Sequence, residues 1–243
     1  LIIRWKELGK INGKEYIVKT IVTTETIKTI AERNGVEMYD VYTGFKWIAN
    51  VMRENEGKKN YIGGGEESYG FLCEDFVRDK DAVSACVILA EIAAWAKDQG
   101  LSLYQLLQKI YVEYGFSKEK GISVVKKGKS GAEEIEAMMK KFRENPLTEI
   151  AGSKVTYFYD YSTLKGKDYA ENETVTLDMP TTSNVLQYFT EDNTKVSIRP
   201  SGTEPKIKFY CEVHSKVKSI DELPEAEKAA EEKINQIKAS LGI

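Results

Sequence analysis

Ten consecutive residues, Arg199-Pro200-Ser201-Gly202-Thr203-Glu204-Pro205-Lys206-Ile207-Lys208, combine a fixed cation, two hydroxyls, a glycine and two further cations. That set suits a phosphate. A phosphate dianion takes charge-assisted donors from several directions; Arg199 offers a bidentate fork, and Ser201 and Thr203 add short hydroxyl donors. Gly202 lets the backbone turn so that its amide also faces the anion. Apolar β-type residues flank the segment at 196–198 and 207–213, so it is expected to join two strands, with Lys206 and Lys208 on one face of the second. A solvated basic turn would share the short pattern Arg-x-Ser-Gly-Thr; the longer string is much harder to obtain by chance.

A second chemically loaded segment is Gly63-Gly64-Gly65-Glu66-Glu67-Ser68-Tyr69-Gly70, after Asn60-Tyr61-Ile62. Three successive glycines exclude a regular helix and are expected to form a loop that approaches a ligand closely. A carboxylate can accept hydrogen bonds from two vicinal hydroxyls, so Glu66 and Ser68 suit a sugar, while Glu67 points elsewhere if the backbone is extended. The competing reading is a flexible glycine hinge with solvated acids. Taken together, a hydroxyl-gripping loop and an anion-gripping loop facing a common groove imply a sugar phosphate.

The elements that must carry these segments alternate between strand and helix in the first half. Residues 16–23 read as a strand, Thr24 caps a helix that ends near Gly35, 36–42 is a second strand and 45–54 a helix. A strand begins at Tyr61-Ile62, an apolar helix covers 81–97 up to Gly100, and another covers 102–114. After about Phe116 the pattern becomes strand-rich at 122–126, 154–161, 187–190 and around the phosphate segment, with helices at 132–143 and 223–241. The last helix carries Ala226, Ala229, Ala230, Ile234, Ile237 and Leu241 at helical spacing, a packing face. The expected fold class is α/β: a three-layer α/β domain with a mixed sheet over residues 1–117, N-terminally truncated and sugar-binding, then a smaller α+β domain with a mainly antiparallel sheet over 118–243, phosphate-binding. The glycine-flanked stretch 115–121 is the expected hinge.

With 243 residues, 42% hydrophobic and 30% charged, the chain can bury a core of one or two domains. A net charge of −3, from 35 Lys and Arg against 38 Asp and Glu, argues against nucleic acid or an anionic membrane as partner. No apolar run approaches a membrane span, and no signal-peptide pattern is present. Cys73, Cys86 and Cys211 lack Cys-x-x-Cys spacing, which argues against zinc or a disulfide framework and for a reducing cytoplasm. The run Lys126-Lys127-Gly128-Lys129 is expected to be a solvated turn facing the acidic helix after it. The single histidine, His214, is expected to be structural or exposed. Leu1-Ile2-Ile3-Arg4-Trp5-Lys6 carries no initiator methionine and reads as β-like, so the chain is expected to be an excised piece.

Four motifs in order, Thr43-Gly44-Phe45-Lys46-Trp47-Ile48, Gly65-Glu66-Glu67-Ser68-Tyr69-Gly70, Arg78-Asp79-Lys80-Asp81 and Arg199-Pro200-Ser201-Gly202-Thr203-Glu204-Pro205-Lys206, resemble the C-terminal half of an α-D-phosphohexomutase of the phosphoglucomutase/phosphomannomutase family. The resemblance runs from about Ile17 to the C-terminus. It implies that Glu66 and Ser68 hold hexose hydroxyls, that Thr43 and Gly44 touch the sugar, and that Lys80 transfers a proton or stabilises charge; an ordinary surface lysine is the alternative for Lys80. It further implies that Arg199, Ser201, Gly202 and Thr203 bind phosphate, with Lys208 as a further cation and Lys206 a weaker one. The implied reaction interconverts hexose 1-phosphate and hexose 6-phosphate through a phosphoserine enzyme and a bisphosphate, with Mg2+ as cofactor and hexose bisphosphate as activator. The serine loop of Thr-Ala-Ser-His-Asn-Pro type and the metal loop of Asp-Gly-Asp-x-Asp-Arg type are absent from the sequence. The chain is therefore expected to bind hexose phosphate, to need N-terminal domains of the same polypeptide, to hold no metal and to be inactive alone. A non-catalytic phosphosugar-binding module, or a phosphopentomutase or phosphomannomutase of the same family, are the alternatives.

Overall fold

The computed structural model of the chain describes residues 1–126, 128–202 and 204–243, with the backbone alone at Lys129. These residues form two units, Leu1–Gly115 and Phe116–Ile243.

The first unit opens with α1 (Ile2–Glu7), where the sequence suggested a β-like stretch. Ile2 and Trp5, three residues apart, both join the cluster of Ile17, Ala31, Val36 and Ile62, and only a helical turn puts them on one face. The chain continues through β1 (Glu15–Thr20), α2 (Thr26–Arg33), β2 (Glu37–Val41), α3 (Phe45–Asn55), β3 (Asn60–Glu66), β4 (Gly70–Cys73), α4 (Ala82–Asp98) and α5 (Leu103–Tyr114). The strands lie in the order β2-β1-β3-β4. β1 is parallel to β2 and β3, and β3 is antiparallel to β4, so the sheet is mixed as expected.

Every residue of the central strand β1 is buried, because apolar side chains cover both sheet faces. Tyr16 and Val18 pack with Phe45, Ile48 and Met52 of α3 on one face. Ile17 packs with Ala31 of α2 and Ile2 of α1 on the other. The cap read at Thr24 is displaced, because Glu25 is the N-cap of α2 and makes no side-chain cap bond, while Thr24 Oγ1 accepts from the Thr26 amide at 3.2 Å; α4 is capped by Asp81, whose Oδ2 accepts from the Ser84 amide at 2.8 Å.

The glycine run departs from expectation, because Gly63, Gly64 and Gly65 belong to β3 and not to a loop. A Cβ on Gly64 would lie 2.4 Å from the Val18 carbonyl oxygen and 2.5 Å from Tyr61 Oη. Glycine is required there by the close approach of a neighbouring strand and ring, while the backbone itself stays extended. The turn falls instead on Glu67-Ser68-Tyr69, with Tyr69 at φ 68°.

The second unit comprises β5 (Phe116–Val125), α6 (Gly128–Glu144), β6 (Glu149–Ile150), β7 (Ser153–Asp160), β8 (Lys165–Asp168), β9 (Glu173–Thr176), β10 (Leu186–Thr190), β11 (Lys195–Pro200), β12 (Lys206–Ser215) and α7 (Leu223–Leu241). Its sheet runs β5-β12-β11-β10-β7-β8-β9, with β6 paired onto β7, and every pairing is antiparallel. The stretch expected as a hinge is strand from Phe116 onward, since 116–125 pairs residue by residue with β12. Ala230, Ile234, Ile237 and Leu241 of α7 are buried as the spacing suggested, whereas Ala229 on the same helix is exposed. Lys126 pairs with Glu134 of α6 at 2.9 Å; Lys127 lies outside the described residues, as does the Lys129 side chain. No helix among the described residues is long and apolar enough to cross a membrane.

Candidate functional site

In the first unit the candidate residues meet at the ends of β2 and β3. Gly44 precedes α3 at φ 122°, a backbone conformation that favours glycine, and its amide donates to Glu66 Oε1 at 2.5 Å. Glu66 ends β3, so a carboxylate sits at the N-terminus of α3, where exposed amides favour negative charge. Thr43 lies in the same connection and is half-buried. Lys80 crosses the same corner: its Cδ would be 3.3 Å from a Cβ on Gly70, and its Nζ is 5.8 Å from the centre of the Phe45 ring. Lys80 Nζ also donates to Asp79 Oδ1 at 3.1 Å, and that bond holds the Asp79 carboxyl below its ordinary value. A depression of about 630 Å³ opens beside Gly44 and Lys80, lined also by Lys46, Arg53 and Arg78.

Ser68 stands apart from this corner, exposed on the turn, with its hydroxyl donating to Glu67 Oε1 at 3.1 Å. Glu67 points elsewhere, as expected, and its other oxygen accepts from Thr20 Oγ1 at 3.0 Å. The turn that carries Ser68 is thus tied to the end of β1.

That tie leads to a residue the sequence reading passed over. Lys19 is 1% exposed inside the central strand, with Nζ 2.7 Å from Asp40 Oδ1 and 3.0 Å from Glu25 Oε1. Burial alone would lower its pKa, but the two carboxylates outweigh burial and the net shift is upward, so the ammonium form is the one held. The three side chains join the end of β1 to β2 and to the start of α2. A signal was present in the sequence, since Lys19 is the one side chain charged at neutral pH in the mainly apolar run 16–22.

In the second unit, β11 and β12 form the hairpin that carries residues 199–208. Arg199 and Pro200 end β11, Lys206 opens β12, and the Ser201 amide donates to the Lys206 carbonyl at 2.8 Å. β12 alternates half-buried Lys206, Lys208 and Tyr210 with buried Ile207, Phe209 and Cys211, so both lysines share one face as expected. Arg199 lies directly opposite Lys208 across the ladder. Lys206 is paired with Glu204, which lowers the Glu204 pKa; no ion pair of Arg199 or Lys208 occurs among the described residues. Gly202 is exposed at the tip, Ser201 is half-buried, and Thr203 lies outside the described residues. A cavity of about 510 Å³ beside the hairpin is lined by Ser201, Glu204 and Lys206, and by Met139, Lys140 and Arg143 of α6.

His214 Nδ1 is 3.3 Å from Ser117 Oγ, which also donates to Glu212 Oε1 at 3.2 Å, and Glu212 pairs with buried Lys195 at 3.0 Å. With Ser117, Lys195 and Glu212 buried, this is a polar network within the sheet, in keeping with a structural His214.

Comparisons with known proteins extend this picture. Residues 1–114 match the family described as phosphoglucomutase/phosphomannomutase, alpha/beta/alpha domain III, and residues 123–230 match phosphoglucomutase/phosphomannomutase, C-terminal domain. A phosphoglucomutase of Staphylococcus aureus is 40% identical over 194 residues, covering 80% of this chain and 35% of its own length. One from Staphylococcus haemolyticus is 35% identical over 208 residues, covering 86% of this chain and 38% of its own. The chain thus spans little more than a third of the length of these relatives. Among solved structures, the phosphoglucomutase-related pp63/parafusin of Paramecium superposes with a TM-score of 0.56 at 19% identity over 84% of this chain and 33% of its own. A putative phosphomannomutase of Thermus thermophilus gives 0.55 at 17% identity over 95% and 39%. At such identities these two speak to the fold.

Proposed function

Because the chain belongs to the phosphoglucomutase/phosphomannomutase family, matching its C-terminal half, we propose that it supplies the hydroxyl- and phosphate-gripping parts of an enzyme that interconverts hexose 1-phosphate and hexose 6-phosphate. The observation that carries this reading is the 199–208 hairpin, on which Arg199 and Lys208 oppose each other with no ion pair of either among the described residues, Glu204 acting on Lys208 only at longer range. Like charges directly opposed in a ladder are unfavourable, and a bound dianion would turn that repulsion into attraction.

In this reading Arg199, Lys208, Ser201 and the Gly202 backbone hold whichever phosphate is not reacting, with Lys206 and Thr203 as additional donors. Glu66 and Ser68 accept and donate hydrogen bonds at hydroxyls common to both orientations of the hexose, and Thr43 and Gly44 close the sugar's other side. Glu66 Oε1 is occupied by the Gly44 amide, which orients the carboxylate and leaves Oε2 as the acceptor for a hydroxyl. Lys80 is placed beside Glu66 to stabilise charge or move a proton at the reacting hydroxyl. The phosphoryl group would pass from an enzyme phosphoserine to the free hydroxyl, giving a bisphosphate; the sugar then reorients, and its other phosphate returns to the serine.

The serine loop is absent from these residues, and no group of three or more His, Cys, Asp or Glu side chains among the described residues could hold the Mg2+ that the reaction implies. Those parts are assigned to N-terminal domains of a longer cytoplasmic polypeptide.

Amide chemical-shift mapping of residues 1–243 with glucose 6-phosphate tests the reading, together with a coupled mutase assay of the longer polypeptide. Shifts should concentrate at 66–70 and 199–208, and only the longer polypeptide should convert glucose 1-phosphate. Unperturbed amides in both segments, or turnover by a rigorously pure 1–243 chain, would overturn it.

A further inference from the structure

Between the two residues assigned to the sugar, Glu66 and Ser68, stands a carboxylate to which no role has been given. Glu67 Oε2 accepts from Thr20 Oγ1 at 3.0 Å, and Thr20 is wholly buried at the end of the central strand β1. Thr20 Oγ1 also lies 2.9 Å from Thr23 Oγ1, and the preceding Lys19 is pinned by Asp40 and Glu25. The Glu67 carboxylate is therefore anchored from behind and does not swing as a surface glutamate would.

Its other oxygen, Oε1, accepts from the Ser68 hydroxyl at 3.1 Å. A serine hydroxyl has one proton to give and two lone pairs to offer, so Ser68 alone would suit either sense of bond to a sugar. A carboxylate only accepts, and a hydroxyl bonded to it makes a charge-assisted bond about twice as strong as one to a neutral oxygen. The neutral oxygens of a sugar do not compete with Glu67 for that proton, which leaves Ser68 with lone pairs to present outward. Glu66 has the same polarity: its Oε1 is taken by the Gly44 amide, and Oε2 remains as an acceptor. Gly70 keeps that oxygen open, because a Cβ there would stand 3.0 Å from Glu66 Oε2 and 3.3 Å from Lys80 Cδ.

We propose that Glu67 is a positioning residue that fixes the polarity of Ser68, so that the 66–70 turn reads its ligand with acceptors at both Glu66 and Ser68. The proposal rests on the sugar-binding reading of that turn and adds a chemical class to it. A phosphorylated polyol with a free hydroxyl facing Ser68 donates to it and is accepted. The same phosphate ester carrying fluorine, a carbonyl oxygen or an ether oxygen at that position brings acceptor against acceptor and is disfavoured. An anchor that merely held the backbone of the turn would show no such preference.

Glucose 6-phosphate in which the hydroxyl at C2, C3 or C4 is replaced in turn by fluorine, which cannot donate, is titrated into residues 1–243 and followed by amide chemical shifts. The position facing Ser68 is the one whose fluorine penalty Ser68→Ala removes. In the wild-type chain that analogue should bind about 2- to 12-fold more weakly than the parent sugar, the worth of one neutral hydrogen bond. Glu67→Gln keeps the size of the side chain; with its carbonyl oxygen toward Thr20, its amide donates to Ser68 and frees the serine proton for the ligand. The variant should lose most of the penalty at that one position, keep the penalties at the others, and change nothing further on a Ser68→Ala background. A Glu67→Gln chain that weakens the parent sugar and all the analogues by one common factor, or that leaves every penalty as it was, would overturn the proposal. So would a wild-type chain that binds the parent sugar and all the analogues equally well. Failure of the wild-type chain to bind glucose 6-phosphate at all is a separate result, and overturns the sugar-binding reading on which the proposal rests.

Discussion

Replacing Arg199 by Gln separates two effects that a merely structural arginine would not separate. Arg199 faces Lys208 across the β11/β12 ladder, and neither has an ion-pair partner among the described residues. Opposed like charges in a ladder cost about 0.2–1 kcal/mol, so R199Q should stabilise the unliganded second unit by that amount. For a unit of this size that corresponds to a rise in melting temperature of about 1–4 °C. The same substitution removes a bidentate, charge-assisted grip on an anion, worth about 1.5–3 kcal/mol, so phosphate or glucose 6-phosphate should bind about 10- to 150-fold more weakly. Scanning calorimetry without ligand and with saturating phosphate reads both quantities, because a ligand raises stability by RT ln(1 + [L]/Kd). The wild-type chain should gain stability from phosphate, and R199Q should start higher and gain about 1.4–3 kcal/mol less at the same saturating phosphate. A variant that melts lower than wild type yet keeps the full phosphate-induced shift would refute the reasoning, since Arg199 would then be a structural side chain and the anion would bind elsewhere.

Three further outcomes follow from the packing. Gly64→Ala should cost about 2–3 kcal/mol in chemical denaturation, because the new methyl meets the Val18 carbonyl and Tyr61 Oη; Gly202→Ala, whose Cβ meets nothing within 4 Å, should leave stability unchanged. Lys19→Met should cost about 2 kcal/mol, less than the ~3–5 kcal/mol of a fully buried pair, because Asp40 and Glu25 keep 35% and 34% side-chain exposure and can rehydrate. Hydrogen exchange in the 66–70 turn should accelerate in that variant, and unchanged exchange there would refute the link from β1 to the turn. Burial alone would raise the pKa of Glu15, but the donors Asn60 Nδ2 and the amides of Asn12 and Lys14 outweigh burial and hold it below the ordinary glutamate value. A depressed carboxylate stabilises the fold above the unfolded pKa, and that contribution fades as pH falls. Glu15→Gln should therefore be less stable than wild type at neutral pH, with the difference narrowing below about pH 4.5.

What could be read from the sequence divides along a physical line. α7 and the hairpin strands around 199–208 were legible because each advertises its buried face at a fixed period, 3.6 in Ala230, Ile234, Ile237 and Leu241 and 2 in Ile207, Phe209 and Cys211. β8 and β9 were not legible, because Lys165-Gly166-Lys167-Asp168 and Glu173-Thr174-Val175-Thr176 carry almost no apolar alternation and are held by ladder bonds at a sheet edge. The glycine run misled for a different reason: glycine is demanded both by turns and by close approach, and only the Val18 backbone and the Tyr61 ring decide which applies at Gly64.

The candidate site shows the same division more sharply. The groups that would touch a ligand, Glu66, Ser68, Arg199, Lys206 and Lys208, cluster within short segments, so their chemistry is visible as local composition. The groups that orient them act across long separations: Lys19 meets Asp40 21 positions away, Thr20 meets Glu67 47 positions away, and Gly44 meets Glu66 22 positions away. Such contacts leave no trace in spacing, but they leave one in burial, because an ionisable side chain inside an apolar strand must find partners or lose its charge. A lysine in the middle of an otherwise apolar β-run is therefore a statement about two unseen carboxylates. In this fold those carboxylates anchor the end of β1, whose Thr20 in turn ties down the turn carrying Ser68.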